Sequence, residues 1–158
     1  MDRLDTPYFL VLGLLLVIAG GVSLLVGISG RTVEIGPLAV AGPYSLWRGA
    51  VLLGAGAFFV RATGGGIADR EDEALVFMGS VMIWIVGGTE ILGLVLGAIP
   101  GGPTVWIASP EAFLAAVAPP YPPSVPTLVL TLPALRYAED DLRTMIRRFF
   151  EGNGEDPS

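Results

Sequence analysis

Residues 7–29 read PYFLVLGLLLVIAGGVSLLVGIS, 23 residues without a charge. At about 1.5 Å per residue, a helix of this length covers the roughly 30 Å hydrocarbon core of a bilayer, so the stretch predicts a transmembrane span. A cleaved signal peptide is the rival reading. Against it, the leader Met1-Asp2-Arg3-Leu4-Asp5 carries more acid than base, and no Ala-x-Ala site follows. The apolar run also exceeds the usual h-region of about 7–15 residues.

The rest of the 158-residue chain fits a lipid-facing protein. It is 53% hydrophobic and only 15% charged, with a mean hydropathy of +0.69, whereas a soluble domain carries about 25% charged residues. Asp and Glu outnumber Arg by 15 to 9, with no Lys, so there is no basic excess to displace counterions from phosphates and no nucleic-acid partner is expected. The chain has neither Cys nor His, which removes thiolate zinc sites, disulfides, His-ligated haem and Ser-His-Asp catalysis. No metal site, cofactor or catalytic residue is expected.

Outward from the first span, a second apolar run covers 41–61, opened by Gly42-Pro43 and containing Arg48. Between the two, Thr-Val-Glu-Ile, Gly36-Pro37 and Leu-Ala-Val resemble a short hairpin outside the bilayer. A third run, 74–99, follows the acids Asp69, Glu71, Asp72 and Glu73, which suit the positive end of a helix dipole, with Asp69 in a capping position. Pro100-Gly101-Gly102-Pro103 stops it. Ser109-Pro110-Glu111 then starts a helix over 110–118, with Ser as N-cap and Pro in the first turn. This helix suits the outer interface. Pro119-Pro120-Tyr121-Pro122-Pro123 follows as a rigid surface turn or a polyproline segment for a partner. A fourth span over 124–138 is interrupted by Pro126 and Pro133, and its apolar part of about 12–15 residues is short for a crossing.

The expected fold is therefore an all-α integral membrane protein. It is a four-span helical bundle with a short proline-modified fourth span, an outer interfacial helix and a cytoplasmic amphipathic C-terminal helix. Residues 1–138 form the bundle. Residues 139–158 form the amphipathic helix and acidic tail, in which Leu142, Met145, Ile146, Phe149 and Phe150 recur at helical spacing. The rival arrangement makes 109–135 a re-entrant hairpin and leaves three spans. Four spans place Arg3, Arg61, Arg70, Arg136, Arg143, Arg147 and Arg148 on one side, against Arg31 and Arg48. The positive-inside rule then puts both termini in the cytoplasm of a cell-membrane protein.

Two kinds of residue are singled out. Ala19, Ser23 and Gly27 in the first span, and Thr89, Gly93 and Gly97 in the third, form small-xxx-small stripes that let helices approach within a bilayer. Gly13, Gly20 and Gly27 recur at intervals of seven. These stripes serve packing within one chain or an interface with another. Arg48 lies seven residues below Ala41 and Glu90 nine below Ile99, so antiparallel neighbours could pair them at one depth. Intramembrane ionisable groups are costly and commonly functional; snorkelling of Arg48 and neutral burial of Glu90 are the alternatives. Trp47 and Trp106 suit an interfacial belt and Trp84 an interior position. Gly64-Gly65-Gly66 is a turn, since a P-loop needs a lysine.

The expected function is a non-enzymatic small multi-pass membrane protein, an accessory subunit of a membrane complex or a self-associating bundle. Its partners are membrane lipids and either itself or another membrane subunit. The alternative is a small oligomeric channel or transporter using Arg48 and Glu90 in a polar intramembrane path.

Overall fold

The computed structural model describes residues 4–42, 44–67, 69–99 and 107–137. The expected stop at 100–103, Trp106 and the tail helix of 139–158 lie outside the described residues. Among those described the chain is mostly helical, with α1 Asp5–Ser29, a hairpin of β1 Val33–Ile35 and β2 Leu38–Val40, α2 Tyr44–Thr63, α3 Arg70–Ala98, α4 Pro110–Ala116 and α5 Ser124–Leu130. A 3₁₀ turn, Leu132–Ala134, follows α5. Two helices, α1 and α3, are long and apolar enough to cross a membrane.

Helix ends follow local chemistry. α1 stops at Gly30, which takes φ +65°, a conformation glycine adopts without steric cost. Asp69 caps α3 by accepting from the amides of Glu71 and Asp72, each at 3.0 Å. Because this cap, rather than the edge of the apolar run, sets the start, α3 begins four residues before the expected 74. Ser109 caps α4 through the Ala112 amide at 3.2 Å; α4 ends at Ala116, short of the expected 118. The hairpin pairs Val33 with Val40 and Ile35 with Leu38, turning at Gly36 with φ +58°.

α5 is the main departure from a regular span. Its α-helical hydrogen bonding lasts seven residues and then tightens to the 3₁₀ turn at Pro133, which has no N–H to continue the ladder. Helix resumes over 135–137. The start of α5 is anchored by the preceding loop: the Ala39 amide donates to the Tyr121 carbonyl at 2.9 Å, and the Tyr121 amide to that of Pro37 at 2.7 Å.

α1 and α2 pack most closely, running antiparallel on facing glycines. A Cβ on Gly13 would stand 3.1 Å from the Gly56 carbonyl oxygen, and one on Gly27 would stand 2.9 Å from the Leu46 nitrogen. α3 closes on the pair where Gly79 meets Phe59 and Ala55, and α5 lies across Gly87 of α3. Phe9, Leu16, Leu52, Phe59 and Ile83 fill the centre, with the rings of Phe9 and Phe59 edge to face at 5.4 Å. Outward, α1 exposes Leu10, Val11, Leu14, Leu15, Ile18 and Leu25, and α3 exposes Met78, Ile85, Leu92 and Leu96.

Candidate functional site

The packing of α2, α3 and α5 brings three buried polar side chains together. Nε of Arg48 on α2 donates to Oε1 of Glu90 on α3 at 2.5 Å, with the two side chains 7% and 8% exposed. Oγ of Ser124, the first residue of α5, donates to the other carboxylate oxygen, Oε2. Both oxygens of Glu90 are thus engaged by donors from two other helices. Gly87 makes this geometry accessible: a Cβ there would stand 2.7 Å from the Ser124 carbonyl oxygen, so only glycine lets the head of α5 settle on α3 beside Glu90. One turn before Arg48, Tyr44 places its ring centroid 5.8 Å from the guanidinium carbon, within cation–π range.

Burying two charges is expensive unless they pair well and their remaining hydrogen-bonding capacity is met. Glu90 meets that condition. Arg48 meets it in part: Nη1 is buried with no hydrogen-bond partner among the described residues. Chemically the arrangement is an ionic tie between α2 and α3, extended by a hydroxyl to α5.

The two small-residue stripes fare differently. Ser23 is fully buried, Ala19 packs against the core, and Gly27 accommodates Leu46. Thr89, Gly93 and Gly97 are exposed. Apart from the backbone of α3 itself, no atom of the described residues lies within 4 Å of a Cβ built on Gly93 or Gly97, so the structure does not bring this stripe against another described helix. Trp47 is 58% exposed. Trp84 is half-buried, with Nε1 donating to Oγ1 of Thr131 at 2.8 Å.

Several participants escape sequence reasoning. Ser124 is one of seven serines, with nothing to single it out until its helix is placed beside Glu90. Gly49 and Gly56, seven apart on α2, match the period of Gly13, Gly20 and Gly27, and that shared spacing was a usable signal. At the opposite end of the bundle, Asp5 pairs with Arg136 and accepts from the Tyr137 hydroxyl at 3.3 Å. There the Tyr8 hydroxyl also donates to the Leu130 carbonyl.

Comparison with protein-family models, with curated proteins and with solved structures finds no match.

Proposed function

We propose that the chain is a small multi-pass membrane protein without enzymatic activity, acting as an accessory subunit of a membrane complex or as a self-associating bundle. In this reading α1, α2, α3 and the proline-modified segment 124–138 are four spans of the cell membrane, with both termini cytoplasmic. The observation that carries it is the division of the side chains. Large apolar residues of α1 and α3 face outward, while Arg48 and Ser124 both donate to Glu90 inside. A bilayer is the surroundings in which this inverted economy is stable, because lipid accepts the apolar faces and withholds water from any unpaired polar group. The exposed Thr89, Gly93 and Gly97 face leaves room for a second helix at close range.

A channel or transporter remains the second reading, favoured by the presence of an ionisable pair inside the bundle. Engagement of both Glu90 oxygens supports the structural tie over a polar path. Purification in mild detergent, with measurement of oligomer mass and co-purifying subunits, tests the first reading, and ion or proton flux in liposomes tests the second. The expected result is a stoichiometric complex without flux. Flux in the wild type that is lost in Glu90→Gln would replace it. Reporter fusions after Arg70, Gly102 and Ser158 should read cytoplasmic, outer and cytoplasmic.

A further inference from the structure

Ser23 on α1 is fully buried, and its Oγ has no hydrogen-bond partner among the described residues, as is true of Nη1 of Arg48. These two orphans belong to one level of the bundle. A Cβ on Gly20 would stand 2.9 Å from the Gly49 carbonyl oxygen, and one on Gly27 would stand 2.9 Å from the Leu46 nitrogen. The turn of α1 between those glycines, which carries Ser23, therefore lies alongside the turn of α2 that carries Arg48. Ser23 also shares the inward face of α1 with Phe9, Leu12 and Leu16, all of them buried.

Buried polar groups are almost always hydrogen-bonded, to protein or to an internal water. We infer that Ser23 Oγ and Arg48 Nη1 jointly hold one internal water molecule, which extends the polar tie from α2, α3 and α5 to α1. The inference rests on the Arg48–Glu90 tie, because the charge of that pair selects the occupant. Arg48 and Glu90 cancel, so an added anion would bring an uncompensated charge into a low-dielectric interior. A cation would face the guanidinium N–H. Water is neutral, accepts from Nη1 and donates to the serine oxygen, which gives it the two or more partners that internal waters require.

The test combines stability with direct detection of water in the full-length protein in detergent. A bridging water makes Ser23 and Arg48 energetically coupled. Ser23→Ala should lower the thermal midpoint by about 2–4 °C, and the loss should vanish in an Arg48→Met background. A neutral or raised midpoint for Ser23→Ala overturns the inference, since deleting an unbridged buried hydroxyl removes only a penalty. Should Arg48→Met fail to fold, ¹⁵N-edited water cross-relaxation on the wild type decides: a cross-peak from a long-lived water to the Ser23 amide or the Arg48 Nε–H supports the bridge, and its absence overturns it. A saturable, halide-specific rise in midpoint on replacing gluconate by chloride would also overturn it, in favour of an anion. Loss of coupling between Arg48 and Glu90, with Ser23–Arg48 coupling retained, would sink the tie and with it the choice of water as the occupant, whereas loss of the Ser23–Arg48 coupling alone would overturn the water and leave the tie.

Discussion

Gly20 and Gly49 meet backbone to backbone across α1 and α2, so that a Cβ on either would stand 2.9 Å from the carbonyl oxygen of the other. The obstacle is main chain on both sides, and main chain cannot rotate away as a side chain can. Gly20→Ala or Gly49→Ala must push the helices apart along their whole contact. An overpacking loss of about 1–3 kcal/mol is expected for either, read as a fall in thermal midpoint in detergent. Gly93→Ala is the control, because apart from the backbone of α3 nothing described lies within 4 Å of its Cβ, and its effect should stay within about 0.5 kcal/mol. Equal effects at Gly20 and Gly93 would show that α1 and α2 do not approach this closely.

The tie between Arg48 and Glu90 predicts strong non-additivity. Removing Glu90 alone leaves a guanidinium buried without its counter-charge, and breaking a buried pair in this way costs about 3–5 kcal/mol. Removing both charges relieves that penalty. Glu90→Ala should therefore destabilise more than the Arg48→Ala, Glu90→Ala double variant does once the effect of Arg48→Ala is subtracted. Glu90→Gln should be milder, since its amide oxygen can still accept one of the two hydrogen bonds. Additive losses in the double-mutant cycle would mean that the two residues act separately.

Hydroxyls position the broken fourth segment, and Trp84 reports on one of them. Its indole N–H donates to Thr131 Oγ1 at 2.8 Å, where α5 gives way to the 3₁₀ turn. Thr131→Val keeps the shape and removes the acceptor. The half-buried donor left without its acceptor should cost about 1 kcal/mol, the low end of the range for a buried unsatisfied group. In a variant with Trp47 and Trp106 both replaced by Phe, the emission of Trp84 should shift to the blue. An unchanged spectrum would place Trp84 away from Thr131.

Much of this architecture is legible in the sequence, and the boundary is physical. Charge-free length exposes α1. Asp69 and Ser109 announce helix starts, because the residue that satisfies orphan amides lies within three positions of them. Gly36-Pro37 marks the hairpin for the same local reason. Arg48 and Glu90 could be matched by counting depth, since a helix rises uniformly along its axis. Ser124 could not, because its link to Glu90 depends on how Tyr121 docks on the hairpin and how Gly87 admits α5. Both are contacts between residues distant in the chain. The stripes show the same limit from the other side: Ser23 and Thr89 have equivalent small-residue spacing, yet one is buried and the other exposed. Spacing identifies a face without saying which neighbour covers it.

Three ion pairs at graded burial give a last prediction. Side-chain exposure is 7% and 8% for Arg48 and Glu90, 41% and 10% for Arg136 and Asp5, and 71% and 74% for Arg61 and Glu71. Salt shortens the screening length from about 10 Å at 0.1 M to about 3 Å at 1 M, but acts only where mobile ions can approach. Exposed pairs also contribute little at any salt, because water already screens them and ordering two long side chains opposes the gain. Double-mutant cycles at low and high salt should therefore rank the couplings in order of burial. The Arg48–Glu90 coupling should be unchanged between the two conditions, and the Arg136–Asp5 coupling should shrink. The Arg61–Glu71 coupling should be near the detection limit in both. A salt-sensitive Arg48–Glu90 coupling would mean that ions reach the interior of the bundle, which is the behaviour of a polar path rather than of a sealed tie.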